Sequence, residues 1–325
     1  MRGGLMSDSS GQLSYEYELL SREIFRLAPS TGITFADVPG VRIIRRDDPS
    51  RQENILFPPS VCLTSQGGKQ AVIGAESYEY GCGQFLLSCV EMPSSMKIVT
   101  EEGKPYLALV VELDIPLLSQ IFDEMDSAEE AGMLSSFERD KARERSEEDE
   151  VQLSAQASRS IRIGEATPEL LNAFLRLARI ADDKEKARFV APLILREIHY
   201  YLASGPFGAF LRSFYANSSQ SRQIARAVTY MREHCNERLR IEHLARMANM
   251  AESTFNRNFK KVTSLSPLQY HKHLKLYEAR RLMLTENMSA STACFAVGYE
   301  SQQQFTREYK RLFGNPPMKD IRRNS

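Results

Sequence analysis

Two hydrophobic patterns divide the chain. Through its first third, short apolar or alternating segments are separated by glycine and proline residues, which is typical of strands joined by tight turns. The segments are residues 33–35, 41–45, 61–65, 71–73, 85–90, 96–99 and 106–113. They predict an antiparallel sheet or a small β-barrel.

Apolar residues at helical spacing predict helices on both sides of these strands. Residues 15–27 predict an amphipathic helix after a disordered tail over 1–14, and residues 168–215 predict further helices. The densely charged run at 138–150 predicts a solvated loop or helix face. The stripes of 168–215 fit packing on the barrel as well as packing on a second subunit. They contain Leu170, Leu171, Phe174, Leu177, Leu193, Ile194, Ile198, Tyr201 and Leu202.

The last hundred residues contain one short pattern twice, fifty residues apart. Phe255 and Phe259 in the first copy correspond to Phe305 and Tyr309 in the second. Each pair is spaced i, i+4, which predicts one buried stripe on a helix. Because a helix of small residues and a turn precede each stripe, each copy predicts a helix-turn-helix unit.

The residues between these anchors are polar and are expected to face outward. Asn and Gln can pair with adenine and Arg with guanine in the major groove, where each good pair gives roughly 1–3 kcal/mol of discrimination. The basic residues at the end of each copy suit phosphates instead, namely Lys260, Lys261, Lys310 and Arg311. A repeat needed only for packing would keep the anchors but not Arg257 and Arg307. The predicted DNA-contacting residues are Ser253, Asn256, Arg257, Lys260, Lys261, Gln302, Gln303, Gln304, Thr306, Arg307, Lys310 and Arg311.

Charge and spacing agree with DNA binding. The whole chain is neutral, with 42 basic and 42 acidic residues, but residues 219–325 hold 19 Lys or Arg against 9 Asp or Glu. A basic segment supplies salt-dependent phosphate affinity, although basic faces also meet other anionic partners. Between the copies, residues 268–284 predict one helix of roughly 25 Å. That spacer suits two recognition helices in successive major grooves, about 34 Å apart.

At these residues the chain resembles the AraC/XylS family of bacterial transcriptional regulators. The resemblance covers about residues 222–323, and its most specific stretch is 297–314, followed by Pro316 and Pro317. It implies binding to promoter DNA and activation of RNA polymerase, with repression left open. It implies DNA contacts from Ser253, Asn256, Arg257, Gln302, Gln303, Gln304, Thr306 and Arg307.

The first half resembles the N-terminal domain of one AraC-type subfamily, through residues 57–59, 62–63, 66–69, 78–81 and 105–109. This resemblance implies a cupin-like sensory barrel, and helices after it that support a homodimer. The predicted fold is therefore multidomain α+β. Residues 15–160 form the β-rich sensory domain, 161–218 a helical connector and linker, and 219–325 an all-α domain with two helix-turn-helix motifs.

Candidate chemistry in the first half is sparse. All five histidines lie after residue 198, which excludes a His-ligated cupin centre, and we expect no catalytic residue, metal or cofactor. His271 and His273 are expected on a polar helix surface or in contact with phosphates. The cysteines fit neither paired zinc ligands nor a redox CxxC motif, and they are small buried hydrophobes or electrophile-sensing thiols. The candidate effector-sensing residues are Cys62, Cys82, Cys89, Lys69, Tyr78 and Tyr80.

The sequence thus predicts a DNA-binding regulator controlled by a small molecule or a reactive electrophile. No apolar run reaches 18 residues and no signal-peptide core is present, which predicts a cytoplasmic protein. Two rivals remain. One is an N-terminal enzyme that carries a DNA-binding tail, and the other is an adaptor whose basic repeats meet an acidic partner.

Overall fold

The computed structural model describes residues 7–48, 53–73, 76–100, 103–130, 160–215 and 220–324. Among these residues, the part up to 165 contains ten strands and two helices, and the elements that follow are all helices. The charged run at 138–150 and most of the predicted linker before residue 220 lie outside the described residues.

The strands form two antiparallel sheets. One sheet has the order β1-β2-β9-β4-β7-β10 and the other has the order β3-β8-β5-β6. The strands are β1 (Gly32–Phe35), β2 (Val41–Arg46), β3 (Glu53–Phe57), β4 (Ser60–Gln66), β5 (Gly68–Ile73), β6 (Glu76–Gly81), β7 (Gln84–Ser88), β8 (Met92–Val99), β9 (Tyr106–Glu112) and β10 (Ile161–Glu165).

All seven predicted strand segments are strands, but the sequence missed three others. β3, β6 and β10 are short, and their burial comes from the strands they pair with rather than from a strong apolar pattern of their own. β10, for example, pairs with β7 across a long separation in sequence, Ile161 lying opposite Ser88. The first helix, α1 (Ser7–Leu27), begins eight residues before the predicted start, so the predicted tail is helical from Ser7 onward.

Both faces of the larger sheet are covered. Its inner face meets the smaller sheet, where the Tyr106 ring of β9 lies 6.0 Å from the Lys69 ammonium of β5. Its outer face packs against α1, whose buried stripe contains Leu20 and Ile24. Cover on both sides explains why successive residues of β4 and β9 are buried almost without interruption instead of alternating between buried and exposed.

The helices after the strands form a connector and then the repeated units. α2 is missed by the sequence and packs against α5 and α6. The connector helices are α2 (Ile115–Glu130), α3 (Pro168–Ile180), α4 (Lys184–Phe189), α5 (Ala191–Ser204) and α6 (Gly208–Tyr215). The repeat region contains α7 (Gln220–Glu233), α8 (Ile241–Met247), α9 (Glu252–Thr263), α10 (Pro267–Thr285), α11 (Ala290–Ala296), α12 (Gln302–Phe313) and α13 (Pro317–Asn324).

The hydrophobic core is continuous from the sheets into the first repeat unit. One cluster of buried side chains runs from Leu20 to Leu274, halfway along α10. The second repeat unit has a separate cluster that starts at Leu276 and includes Phe305 and Tyr309. The first unit is therefore packed onto the N-terminal domain, whereas the second folds around its own core.

Candidate nucleic-acid interface and sensory cluster

The first unit consists of α8 and α9 joined by a tight turn. Asn249 in this turn has a φ of 51°, a left-handed conformation that asparagine tolerates. The rings of Phe255 and Phe259 lie 5.5 Å apart in the core, as the i, i+4 spacing predicts. No side chain caps the start of α9, because its N-cap residue is Ala251.

The second unit repeats this arrangement with α11 and α12. Gly298 holds the turn at a φ of 74°, and a Cβ there would lie 2.3 Å from the backbone oxygen of Asn236. Glycine is therefore required by both conformation and space. Ser301 caps α12, since its hydroxyl accepts a hydrogen bond from the Gln304 backbone N–H at 3.3 Å.

The predicted DNA-contacting residues lie on the open faces of α9 and α12, opposite the buried anchors. Eleven of the twelve are exposed and Thr306 is half-buried. Arg257 and Arg307 form no salt bridge with any other residue in the described part of the chain. Two amides are partly engaged already, because Asn256 donates to Glu252 O at 2.9 Å and Gln304 to the Glu308 carboxylate at 3.1 Å.

Glu308 ties α12 to its surroundings, and the sequence did not single it out. It accepts hydrogen bonds from Tyr299 at 2.7 Å and from Lys272 at 3.2 Å, so it ties α12 to the turn and to α10. Burial acts to raise the pKa of Glu308, but the bonds from Tyr299, Gln304 and Lys272 outweigh it and lower that pKa. The i, i+4 spacing of Gln304 and Glu308 was the available signal.

The spacer α10 begins with a capping box. Ser266 accepts from the Gln269 backbone N–H while the Gln269 side chain accepts from the Ser266 backbone N–H, and Pro267 occupies the first turn. Its 19 residues span about 28 Å. His271 is buried instead of lying on the surface as expected, and burial together with Lys275 lowers its pKa to about 4. At that pKa His271 is uncharged at neutral pH, so it offers no positive charge to a phosphate.

Three of the six candidate sensing residues meet between the two sheets. Cys62, Lys69 and Tyr80 are buried there with Tyr106, whose hydroxyl lies 4.0 Å from the Cys62 sulfur. The Lys69 side chain is only 3% exposed, and its ammonium lies 5.3 Å from the Phe57 ring centroid. Burial lowers the pKa of Lys69, and the Tyr80 hydroxyl makes no hydrogen bond among the described residues.

The other three candidates lie apart from this cluster. Cys82 is exposed, and its thiol donates to Ser65 O at 3.0 Å. Cys89 is buried beside Tyr215, and burial raises the pKa of its thiol. Tyr78 is half-buried and donates to the Glu76 carboxylate at 2.9 Å. Within the described ranges, no group of three His, Cys, Asp or Glu side chains is placed to hold a metal ion.

The junction between the halves contains polar contacts and a cavity. Tyr270 donates to Glu91 O at 2.8 Å, and Arg232 lies 3.8 Å from the Glu91 carboxylate. Burial raises the pKa of Glu91 to about 7. A cavity of about 680 Å³ opens beside them, lined by Arg42 and Arg281 among others.

Comparison with known proteins identifies the chain. Residues 37–210, more than half of it, match the sequence profile of the AraC-type transcriptional regulator N-terminus. The chain belongs to the AraC-type transcriptional regulators. A helix-turn-helix domain profile matches this AraC-type regulator over residues 244–323. It is therefore a DNA-binding transcription regulator, as predicted.

Individual relatives match the AraC-type regulator over part of its length. The MmsAB operon regulatory protein of Pseudomonas aeruginosa is 34% identical over 88 residues, which are 27% of this chain and 29% of that protein. The virulence regulon transcriptional activator VirF of Yersinia enterocolitica is 26% identical over 151 residues, covering 46% of this chain and 55% of VirF. The chain thus spans between about a third and about half of these relatives.

A solved structure supports the fold over nearly the whole chain. Unsaturated fatty acid bound wild-type ToxT from Vibrio cholerae strain SCE256 superposes on the AraC-type regulator with a TM-score of 0.56 at 9% identity, covering 86% of this chain and 94% of ToxT. The predicted α+β fold, a sheet-rich N-terminal domain followed by a helical double helix-turn-helix domain, is confirmed. Within the described ranges, we find no helix with the length and apolar character to span a membrane.

Proposed function

We propose that the protein reads two adjacent half-sites of a promoter, one with α9 and one with α12. The observation that carries this proposal is the pair of exposed polar faces at equivalent positions on two helices joined by a rigid spacer. Arg257 and Arg307 are expected to read bases with Asn256, Gln302 and Gln303. The remaining predicted contacts complete the interface, mainly by positioning it on phosphates. They are Ser253, Lys260, Lys261, Gln304, Thr306, Lys310 and Arg311.

Binding measurements with full-length variants test the division of roles. Arg307→Ala is expected to weaken binding to the cognate site by about tenfold or more while barely changing binding to random DNA. Lys310→Ala, three residues along the same helix, is the matched control and is expected to weaken both alike. Equal losses on both DNAs from Arg307→Ala would refute base reading by this residue.

The N-terminal domain is proposed to sense a small molecule or a reactive electrophile. Support comes from the cluster of Cys62, Lys69 and Tyr80, since a buried amine and thiol beside a hydroxyl without a partner suit a polar or electrophilic ligand. ToxT, which shares the fold, is solved with a bound unsaturated fatty acid. Cys82, Cys89 and Tyr78 stay secondary candidates because they lie outside the cluster.

A promoter reporter tests sensing. Cells exposed to an aldehyde or a hydroperoxide should show an induction that Cys62→Ser or Lys69→Met abolishes and that Cys82→Ser, at an exposed thiol, leaves largely intact. Induction that is unchanged in serine variants at Cys62, Cys82 and Cys89 would reject sensing by thiols.

A homodimer formed through the connector belongs to the same proposal. Phe189 and Leu193 are 66% and 68% exposed, and Tyr200 lies two turns further along α5. Such an apolar surface favours a protein partner. Leu193→Asp is expected to shift the sedimentation of the protein toward monomer, whereas Ser204→Asp, at an exposed position of the same helix, is the control. A wild type that sediments as a monomer at micromolar concentration would contradict this dimer.

Membership of the AraC-type regulators supports the rest of the proposed function. We propose a sensory rather than enzymatic first half, because the relatives are transcriptional regulators. We further propose that the protein activates RNA polymerase and acts in the cytoplasm, at its promoter DNA. The two sheets are proposed to be cupin-like, and the domain boundaries are proposed to lie near residues 160 and 218. Footprinting on the promoter beside the chain's own gene tests the DNA role directly.

A further inference from the structure

The two recognition helices are held at the same point by the N-terminal domain. The last four carbonyl groups of a helix have no partner within the helix and accept from elsewhere. In α9 the Val262 carbonyl accepts a hydrogen bond at 2.9 Å from the buried hydroxyl of Ser160, the residue just before β10. In α12 the Leu312 carbonyl accepts from the Asn54 amide of β3. Val262 and Leu312 are fifty residues apart and hold the same position in the two repeats.

The two contacts differ in what surrounds them. The first unit shares the core of the N-terminal domain and is also tied to it by the bond from Tyr270 to Glu91 O. The second unit has its own core, and β3 is the strand that α12 contacts. Asn54 is therefore placed to fix where the second recognition helix lies relative to the first.

We propose that Asn54 and Ser160 are positioning residues for DNA recognition. Each holds the C-terminal end of one recognition helix, so together they set the separation and the angle at which the two helices meet adjacent major grooves. Asn54 has the larger role because the first unit is also fixed by its shared core. This inference rests on the proposed reading of two half-sites by one chain.

The prediction concerns the spacing of half-sites and not affinity alone. The site is first selected with full-length wild-type protein from a random double-stranded DNA library. A second duplex then carries one extra base pair between the half-sites. Wild type is expected to bind this duplex at least about tenfold more weakly than the selected one, because the held helices meet the grooves at a fixed separation.

Asn54→Ala is expected to reduce that ratio by about fivefold, which is roughly the effect of one lost neutral hydrogen bond. Asn54→Asp keeps the size but cannot donate to the carbonyl, so it gives a second variant should alanine impair folding. Ser160→Ala is expected to reduce the ratio less. Ser95→Ala is the matched control, since Ser95 pairs with Asn54 in the sheet register and its hydroxyl makes no hydrogen bond among the described residues.

The outcomes separate the hypotheses. A purely structural effect raises the dissociation constants for both duplexes equally and leaves their ratio unchanged, so an unchanged ratio in Asn54→Ala and Asn54→Asp overturns the positioning role. A drop in the ratio with Ser95→Ala as large as with Asn54→Ala also overturns it. If the wild type selects no sequence from the library, the proposed function itself fails, and that result is distinct from either of these.

Discussion

The two repeat units share a backbone plan but are stabilised in different ways. In the first unit the Phe259 ring packs 5.5 Å from the Tyr270 ring, and the Tyr270 hydroxyl reaches outward to the N-terminal domain. At the equivalent positions of the second unit, Tyr309 donates to Asp320 at 2.8 Å, and Arg280 lies 2.8 Å from the same carboxylate. The first unit thus directs its polar bond toward the N-terminal domain, whereas the second directs it inward.

Two repeats of one chain can therefore share a backbone shape and still differ in how far they depend on neighbouring domains. The second unit has an internal ion pair and its own core, so its integrity depends on that pair. The first unit depends on the domain before it. Substitutions at matched positions should therefore change the free energy of unfolding by unequal amounts in the two units.

The largest effect is expected from Asp320→Ala. It leaves the Arg280 guanidinium, whose side chain is 23% exposed, without its partner, and should lower the free energy of unfolding by about 3 kcal/mol or more. The matched change in the first unit, Tyr270→Phe, removes one neutral hydrogen bond and should cost about 1 kcal/mol. Denaturant unfolding of the full chain measures both. Equal costs would mean that the units are stabilised alike.

An intermediate effect is expected from pH at the first unit's contact. Burial raises the pKa of Glu91 from an ordinary 4.5 to about 7, beside Arg232, which acts to lower it, and Glu112, which acts to raise it. The folded state therefore holds the proton more tightly. The free energy of unfolding is therefore highest below pH 4.5 and falls by about 3 kcal/mol as the pH rises from 4.5 through 7.

Glu91→Gln, which cannot titrate, tests this pH dependence. The difference between the unfolding free energies of wild type and variant should change by that amount between pH 4.5 and pH 8. Because the carboxyl group lies 3.8 Å from Arg232 of α7, and α7 packs against α9, binding to the first half-site should follow the same trend. Parallel pH profiles for wild type and Glu91→Gln would exclude Glu91 as the titrating group.

The smallest effect concerns the ends of the recognition helices. Ser264 ends α9 with a φ of 62°, while Gly314 ends α12 with a φ of 77° at the equivalent position. A non-glycine residue in this conformation costs roughly 1 kcal/mol. Ser264→Gly should therefore raise the melting temperature, and the reciprocal Gly314→Ser should lower it. Two shifts of the same sign would show that other contacts dominate these caps.

The repeated units were predictable because their signals are local. The i, i+4 spacing of Phe255 with Phe259 and of Phe305 with Tyr309 predicted which side chains are buried, and the same period placed Arg257 and Arg307 on exposed faces. Periodicity fixes a face once the helix is known. The twelve residue roles on those faces stay a prediction until binding is measured.

The contacts between the halves were not predictable because they join distant parts of the chain. Asn54 and Leu312 are separated by 258 residues, and nothing in the short polar start of β3 distinguishes a strand that pairs with β8 from a loop. The meeting of Lys69 with Phe57 and Tyr106 likewise depends on how two sheets face each other. Sequence spacing carries no information on that packing.

Strand β3 lies between the interior of the N-terminal domain and the second repeat unit. Phe57 and Asn54 are three residues apart, so their side chains leave opposite sides of the strand, Phe57 toward Lys69 and Asn54 toward Leu312. Inserting or deleting one residue between them would put both side chains on the same side of the strand. The number of residues between Asn54 and Phe57 must therefore stay even if the two side chains are to keep their separate contacts.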